Sequence, residues 1–522
     1  MLNHNLSIRI AVNRNYNDGY GFDPVINKRT DGVDDWGARL GLDYKNDNLD
    51  VYLKLYADGL TKAQQTSQIV NVDPVTGATI PFNALTGFVP PTKLDVFDGS
   101  FFGINTQNRG STLNVNYSLG QYTLTSVTGY VHSRQHAADD YDGSPFVVAD
   151  IPNNDVASSE ISQELRVTSP DTGAFKWIAG GNFFHKSLDT YDAYNLFQTP
   201  LIVERDYEHT TSYAGFFDAK LKLSAGFSVI GGVRLTHDEK RMRFLSADLS
   251  LIGPFDTTSS DSWIEPSYRG VLNYQLDPYT LLYASYNHGY RSGAYDNGLK
   301  SSPQQLNPAN PEFVNNYEVG AKTTLFDQRL RLSSAFYYMR FTDMQLDALA
   351  PIPGAICCNI VNAGVSRVYG AEVSGTALVS RDVSLNFVGT YSNAKFLQFN
   401  DDGVNYAGVR LGNIPTYKIR ISPEHRMPYN NGNFFISPDA TFVGPNRVHT
   451  IPDPYSRDIQ KAFAILDAQA GYREDKWSVF GWVKNATNYR VLTGTDLETF
   501  FGYMNRIHGP PLSFGITVTT RY

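Results

Sequence analysis

The sequence predicts an all-β fold, a transmembrane antiparallel β-barrel of about twenty strands. Three observations carry this reading. Runs of residues alternate between apolar and polar side chains, the period of a strand with one face in water and one out of it. The connections between those runs strictly alternate between tight polar turns and long excursions, as they do when the two ends of a barrel lie on different sides of a bilayer. Aromatic residues make up 13% of the 522-residue chain, with 33 Tyr and 31 Phe against 2 Cys and 6 Met, which favours long strands over packed helices.

The opening MLNHNLSIRIAVNRN enters strand pattern directly, without the basic segment, apolar core and cleavage site of a secretory leader. In GARLGLDYKNDNLDVYLKLYADG, Ala38, Leu40, Leu42 and Tyr44 face one way and Arg39, Gly41, Asp43 and Lys45 the other. After the turn, Leu49, Val51, Leu53 and Leu55 oppose Asp50, Tyr52, Lys54 and Tyr56. Tight turns follow at SLGQ, SPDTGA, LSAGF, LDPY, FDQR, VSRD, YNNGN and REDK, each between two strand-like runs. Long excursions, including residues 58–100 and 291–313, fall between them. Several runs exceed ten residues, whereas soluble strands average about five or six. YTLTSVTGYVH and WSVFGWVKN carry apolar residues on both faces, so their orientation stays open. The closing SFGITVTTRY sets Phe514, Ile516, Val518, Thr520 and Tyr522 against Gly515, Thr517, Thr519 and Arg521. A closed wall has no free edge, so this last strand is expected to pair with the first.

No repeat of fixed period or propeller-blade signature occurs, and residues 1–522 read as one barrel unit. Mean hydropathy is −0.31, and no stretch approaches the roughly 18 apolar residues of a membrane-spanning helix. Barrel strands of about ten residues escape that test. A formal charge of −8 without a Lys/Arg stripe argues against nucleic acid as a partner.

The stretch LLYASYNHGYRSGAYD, followed by NPEFVNNYEVGAKTTLFDQRLRLSSAFYYMRFTDMQ, resembles the barrel of TonB-dependent outer-membrane receptors. ISQELRVTSPDTGAFKWIAGGNFF, NAGVSRVYGAEVSGTAL, ILDAQAGYREDKWSVFGWVKNATN and GPPLSFGITVTTRY agree in the family's order across most of residues 110–522. Residues 1–109 fit more loosely, as early barrel strands and a long loop. Complete receptors of this kind have an expected 22 strands, preceded by a plug of about 130 residues and a short TonB box. The resemblance therefore implies that the plug, the coupling box and the first hairpin are missing at the N-terminus. It further implies a monomer in the outer membrane of a Gram-negative cell, surrounded by outer-membrane lipid. Its partners would be the TonB energy-coupling complex through the missing N-terminal region, the barrel-insertion machinery and a scarce, bulky small-molecule ligand. Ferric siderophores are the family's commonest cargo; cobalamin, haem and oligosaccharides use the same barrel. A passive porin-like channel is the rival reading. No enzymatic role, cofactor or resident metal is expected.

Candidate residues follow from alternation and from the resemblance. Arg39, Lys54, Glu164, Arg166, Arg234, Arg291, Glu318, Lys322 and Glu372 fall on the lumen face, where the family's barrels hold the plug, although any wide barrel has a polar interior. Loop aromatics Phe101, Phe102, Tyr141, Tyr290 and Tyr295, with Arg291, are weak ligand-binding candidates. Phe514, Gly515 and Tyr522 belong to the terminal strand that resembles the insertion signal. Asp139, Asp140, Asp142 and Asp150 read as a solvated acidic loop, since their spacing does not match a calcium loop. His237 and Asp238 are adjacent strand residues and point to opposite faces, so no acid–base pair is expected of them. Cys357 and Cys358 are neighbours whose bridging would be strained. No Ser/His or Asp/His arrangement suited to catalysis stands out.

Overall fold

The computed structural model describes residues 5–521 apart from 64, 66, 74, 77, 85, 90–102, 141, 143, 248–253, 297, 299, 301–302, 349–358, 363, 402, 450–456 and 499–502. The described residues form one twenty-stranded antiparallel sheet and five small loop sheets, with a single 3-10 turn at Pro303–Leu306 and no α-helix.

The wall strands are β1 (Leu6–Asn17), β2 (Val33–Lys45), β3 (Leu49–Ala63), β4 (Gly103–Leu119), β5 (Tyr122–Asp140), β6 (Ala149–Thr168) and β7 (Phe175–Leu196). They continue as β8 (Thr199–Lys222), β9 (Phe227–Ser246), β10 (Phe255–Asp277), β11 (Thr280–Arg291), β12 (Glu312–Leu325), β13 (Leu330–Thr342) and β14 (Val365–Leu378). The set closes with β15 (Val383–Gln398), β16 (Tyr417–Tyr429), β17 (Gly432–Val443), β18 (Phe463–Arg473), β19 (Trp477–Lys484) and β20 (Ser513–Thr520). Each pairs with the next in sequence, a simple meander.

Register fixes the faces. Leu40 pairs with Leu55, Leu42 with Leu53 and Tyr44 with Val51, while Gly41 pairs with Lys54 and Arg39 with Tyr56. The apolar set is the outer face, where Leu165, Val233, Ile264, Val319 and Phe336 are all more than half exposed. A soluble protein would not leave such a belt in water; hydrocarbon is the solvent it fits. One of the two strands of open orientation resolves here. In β19, Trp477, Val479 and Val483 share the outer face with Thr520, Val518 and Phe514, whereas Phe480 packs on the buried Phe435 at 5.9 Å.

Aromatic rows bound the belt. Tyr286, Tyr317, Tyr338 and Tyr369 stand in direct register across β11 to β14, and Tyr429, Phe434, Tyr472 and Trp477 form a ring chain at the turn end, with centroids 5.5, 5.0 and 5.3 Å apart. From Tyr317 to the turn at Phe326, strand rise and a tilt of about 40° give about 23 Å, close to the roughly 25 Å of a lipid-facing band.

Two expectations need correction. The last strand does not pair with the first: among the described residues, no ladder joins β20 to β1. Their outer side chains are correspondingly bare, with Val12 77% and Phe514 79% exposed. The two ends of the meander meet instead at the long-loop rim, where residues 503–507 pair with 67–71 and 503–508 with 492–498. The short/long rule also has an exception. β7 and β8 are 22 and 24 residues long and are joined at the long-loop end by Phe197 and Gln198 alone, both at positive φ (49° and 60°). Here the excursion is made by extending the hairpin itself.

Candidate ligand site at the long-loop end

β7, β8 and β9 project well beyond the aromatic row, and their inward positions stack across the ladder. Asp192 pairs with Glu204 and Thr190 with Asp206; Glu204 pairs in turn with Ser246 and Asp206 with Phe244. The β11–β12 connection folds over this surface. Lys300 is fully buried there. Its backbone N–H donates to Glu204 Oε1 at 3.2 Å and its Nζ donates to the Gly298 carbonyl at 2.8 Å. That ammonium lies 3.7 Å from Asp296 Oδ2 and 5.6 Å from the centre of the Phe244 ring.

Burial disfavours charge on these acids. It pushes Glu204 up to about 8, with the neighbouring Asp206 adding to the rise. Asp206 is pushed up to about 7 by burial first, and by Asp192 and Asp296, while Lys300 opposes the rise. Four carboxyl groups thus surround one lysine in a dry site.

Tyr290 lies lower on the same wall, where its hydroxyl donates to Asp238 Oδ2 at 2.7 Å, opposite Ser212 in the ladder. Arg291 is exposed at the strand end, in register with Glu312. Tyr295 is only 5% exposed and its hydroxyl donates to Ser259 Oγ at 3.2 Å, so it anchors the loop. Phe101, Phe102, Tyr141, Cys357, Cys358 and Tyr522 lie outside the described residues.

The acidic loop is solvated only in part: Asp139 is exposed, while Asp140, Asp142 and Asp150 are buried. Asp142 is fully buried and accepts from Ser144 Oγ and from the Val148 and Ala149 N–H groups at 2.9 Å each. Its carboxylate caps the loop backbone. Among the described residues, no cluster of three His, Cys, Asp or Glu side chains is arranged to hold a metal. His237 and Asp238 do diverge: His237 is exposed and Asp238 is 9% exposed.

The lumen positions are brought to one face but not to one point. Lys54 lies over the Tyr56 ring at 5.2 Å, Arg166 pairs with Glu164 and Arg234 Nε donates to Thr236 Oγ1 at 3.1 Å. Tyr283 donates to Glu318 at 2.6 Å beneath Lys322. Arg39 shares this face through Tyr56, and Glu372 sits between Ala335 and Thr390. Phe514 is bare on the outer face, while Gly515 leaves room for the Trp482 ring, 2.5 Å from where its Cβ would stand.

Sequence reasoning missed Lys300 and the pair Glu204/Asp206. The period-two VERDYEH already set Glu204, Asp206 and Glu208 on one face; the loop that covers them carried no local signal.

Comparison with known proteins gives a consistent result. The family described as TonB dependent receptor-like, beta-barrel matches residues 71–486. A pesticin receptor of Yersinia pestis is 23% identical over 421 residues, 79% of this chain and 58% of that protein. One of Yersinia enterocolitica is 23% identical over 399 residues, 76% of this chain and 54% of that protein. The chain thus spans little more than half the length of these curated relatives. Among solved structures, the ferric yersiniabactin uptake receptor FyuA from Yersinia pestis superposes with a TM-score of 0.83 at 18% identity, covering 98% of this chain and 75% of that one. The siderophore receptor PiuA from Acinetobacter baumannii gives 0.75 at 14% identity, over 98% and 77%. At these identities the likeness is one of fold.

Proposed function

Because the chain belongs to the TonB-dependent receptor-like β-barrel family, we propose that it is the wall of a Gram-negative outer-membrane receptor that imports a scarce, bulky ligand, a ferric siderophore. The observation that carries the ligand class is the set of structures sharing this wall, which includes uptake receptors for ferric yersiniabactin and ferric catecholates. The physical arrangement suits the task. An apolar belt between aromatic rows holds the wall in lipid, and the long connections gather charged and aromatic side chains at one mouth.

In this reading the loops capture the chelate near Tyr290 and Arg291. The lumen groups Arg39, Lys54, Glu164, Arg166, Arg234, Glu318, Lys322 and Glu372 hold a plug through ion pairs that break on energy coupling by TonB. The receptor works as a monomer, and its terminal strand, with Phe514, Gly515 and Tyr522, is read by the insertion machinery. No catalytic role is assigned.

The test is quenching of intrinsic fluorescence in the purified receptor, titrated with ferric catecholate, hydroxamate and phenolate chelates beside cobalamin, haem and a maltodextrin. Saturable, submicromolar quenching by a ferric chelate is the expected result. Saturation by cobalamin, haem or the sugar alone would replace the ligand class, and saturation by none of them would favour a passive channel.

A further inference from the structure

The loop sheet that joins the two ends of the meander holds two arginines and a histidine, all partly buried. Residues 492–498 and 503–508 pair so that Thr495 opposes Arg506 and Leu492 opposes His508; Arg506 and His508, two residues apart, share one face of it. Arg490 enters from the side. It donates to the Gly509 carbonyl at 3.3 Å and its guanidinium lies over the Tyr20 ring at 5.5 Å. Tyr20 in turn donates to the His508 carbonyl at 3.5 Å, so the first hairpin walls the cluster.

The hydrogen-bonding capacity of this cluster is largely unspent. Arg506 Nε is buried and without a partner, and the His508 ring nitrogens are buried beside the Arg490 backbone. Thr495, 8% exposed, also leaves its Oγ1 buried and unpartnered. Arg506 makes one long hydrogen bond, 3.5 Å to Gln68 Oε1. Neither arginine is among the ion pairs of the described residues. Asp31 acts on the Tyr20 hydroxyl and accepts from Thr30 Oγ1. Burial pushes His508 down, and the charges of Arg506 and Arg490 push it further, while a hydrogen bond to the Arg490 backbone opposes the fall. Arg506 is lowered by burial alone. Both are what a cationic site lacking its anion looks like.

We propose that Arg490, Arg506, His508 and Thr495 form an oxyanion subsite at the rim, which takes a carboxylate of a small anionic ligand. Two guanidinium forks supply bidentate donors, the neutral imidazole supplies one more, and the Thr495 hydroxyl completes the set. The subsite deepens the receptor reading, on which it rests for the identification of its carboxylate as part of a metal chelate. It sits where the two ends of the meander are stitched together, so an anion there would also tie the rim.

The test follows the His508 ring by NMR in detergent-solubilised receptor, its resonance assigned by loss in His508→Gln. Citrate, ferric citrate and inorganic phosphate are titrated separately. Citrate and its ferric complex should raise the His508 pKa towards the ordinary histidine value, saturably, and more tightly than phosphate. Arg506→Gln or Arg490→Gln should each weaken citrate about tenfold, the scale of one charge-assisted hydrogen bond. Thr495→Val should weaken it less. Heat-resistant migration on a gel confirms that each variant is folded. No shift with either form of citrate, or the same affinity in Arg506→Gln, would overturn the subsite. Phosphate binding as tightly as citrate would mean an adventitious ion only and overturn the ligand class. Ferric uptake that persists in folded Arg490→Gln and Arg506→Gln receptors would overturn the subsite while leaving the receptor reading intact. Citrate binding in a protein that fails to import iron would do the reverse.

Discussion

Leu53 and Lys54 are neighbours that meet different solvents. Leu53 pairs with Leu42 in the apolar belt, and Lys54 pairs with Gly41 on the face that carries Arg39. An arginine at 53 must be carried into hydrocarbon, which costs about 2–4 kcal/mol near the midplane, while Lys54→Arg keeps a cation in water. Leu53→Arg should lose most of the heat-resistant folded band on a gel and Lys54→Arg almost none; equal losses would contradict the assigned faces. Glu204 gives a second prediction at this scale. Its carboxyl is raised to about 8, so between about pH 4.5 and 8 the folded state holds a proton that the unfolded chain releases. Its contribution to stability is therefore full at low pH and declines as pH rises through that window. Protection of the β11–β12 connection against hydrogen exchange should fall over the same range. Glu204→Gln, which can still accept from the Lys300 N–H, should flatten the profile, and an unchanged slope would remove Glu204 from the account.

Elements are held in register by glycines that face aromatic rings across the ladder. Gly320 lies under Tyr283, whose ring atoms stand 2.5 Å from where a Cβ would be, and that ring carries the hydrogen bond to Glu318. Gly320→Ala should displace Tyr283 and cost about 1–3 kcal/mol, the scale of overpacking; a midpoint of chemical unfolding within error of the parent would show that the ring adapts freely. The connections carry the topology. Val75, 92% exposed, lies in the β3–β4 excursion, and Asp47 in the turn between β2 and β3. In intact cells, Val75→Cys should react with a membrane-impermeant maleimide and Asp47→Cys only after the outer membrane is opened. The reverse pattern would invert the barrel. The strand pattern was legible because one face of every strand meets lipid, so alternation is forced. The β7–β8 hairpin was not, because its projection carries polar residues on both faces and loses the signal that marks a wall strand.

At the scale of the molecule, an apolar belt about 23 Å tall surrounds a polar lumen, and the charged groups of the long-loop end lie outside the belt. The family was legible from six short stretches, and the match over residues 71–486 supports it. The candidate sites were much less so. Lys300 meets Glu204 across 96 positions of sequence, and Tyr20 meets His508 across 488, separations over which a single sequence carries no pairing information. Phe101, Phe102 and Tyr141 stand out in the sequence as loop aromatics, but the charges that cluster at the mouth come from strand extensions and from the rim sheet. The central claim is that this wall serves energised import. It is tested most directly by accumulation of radiolabelled ferric chelate in iron-starved cells that express the receptor containing this barrel, with and without a protonophore. Accumulation should saturate and be abolished by collapse of the proton-motive force; accumulation that rises linearly with concentration and ignores the protonophore would contradict energised import.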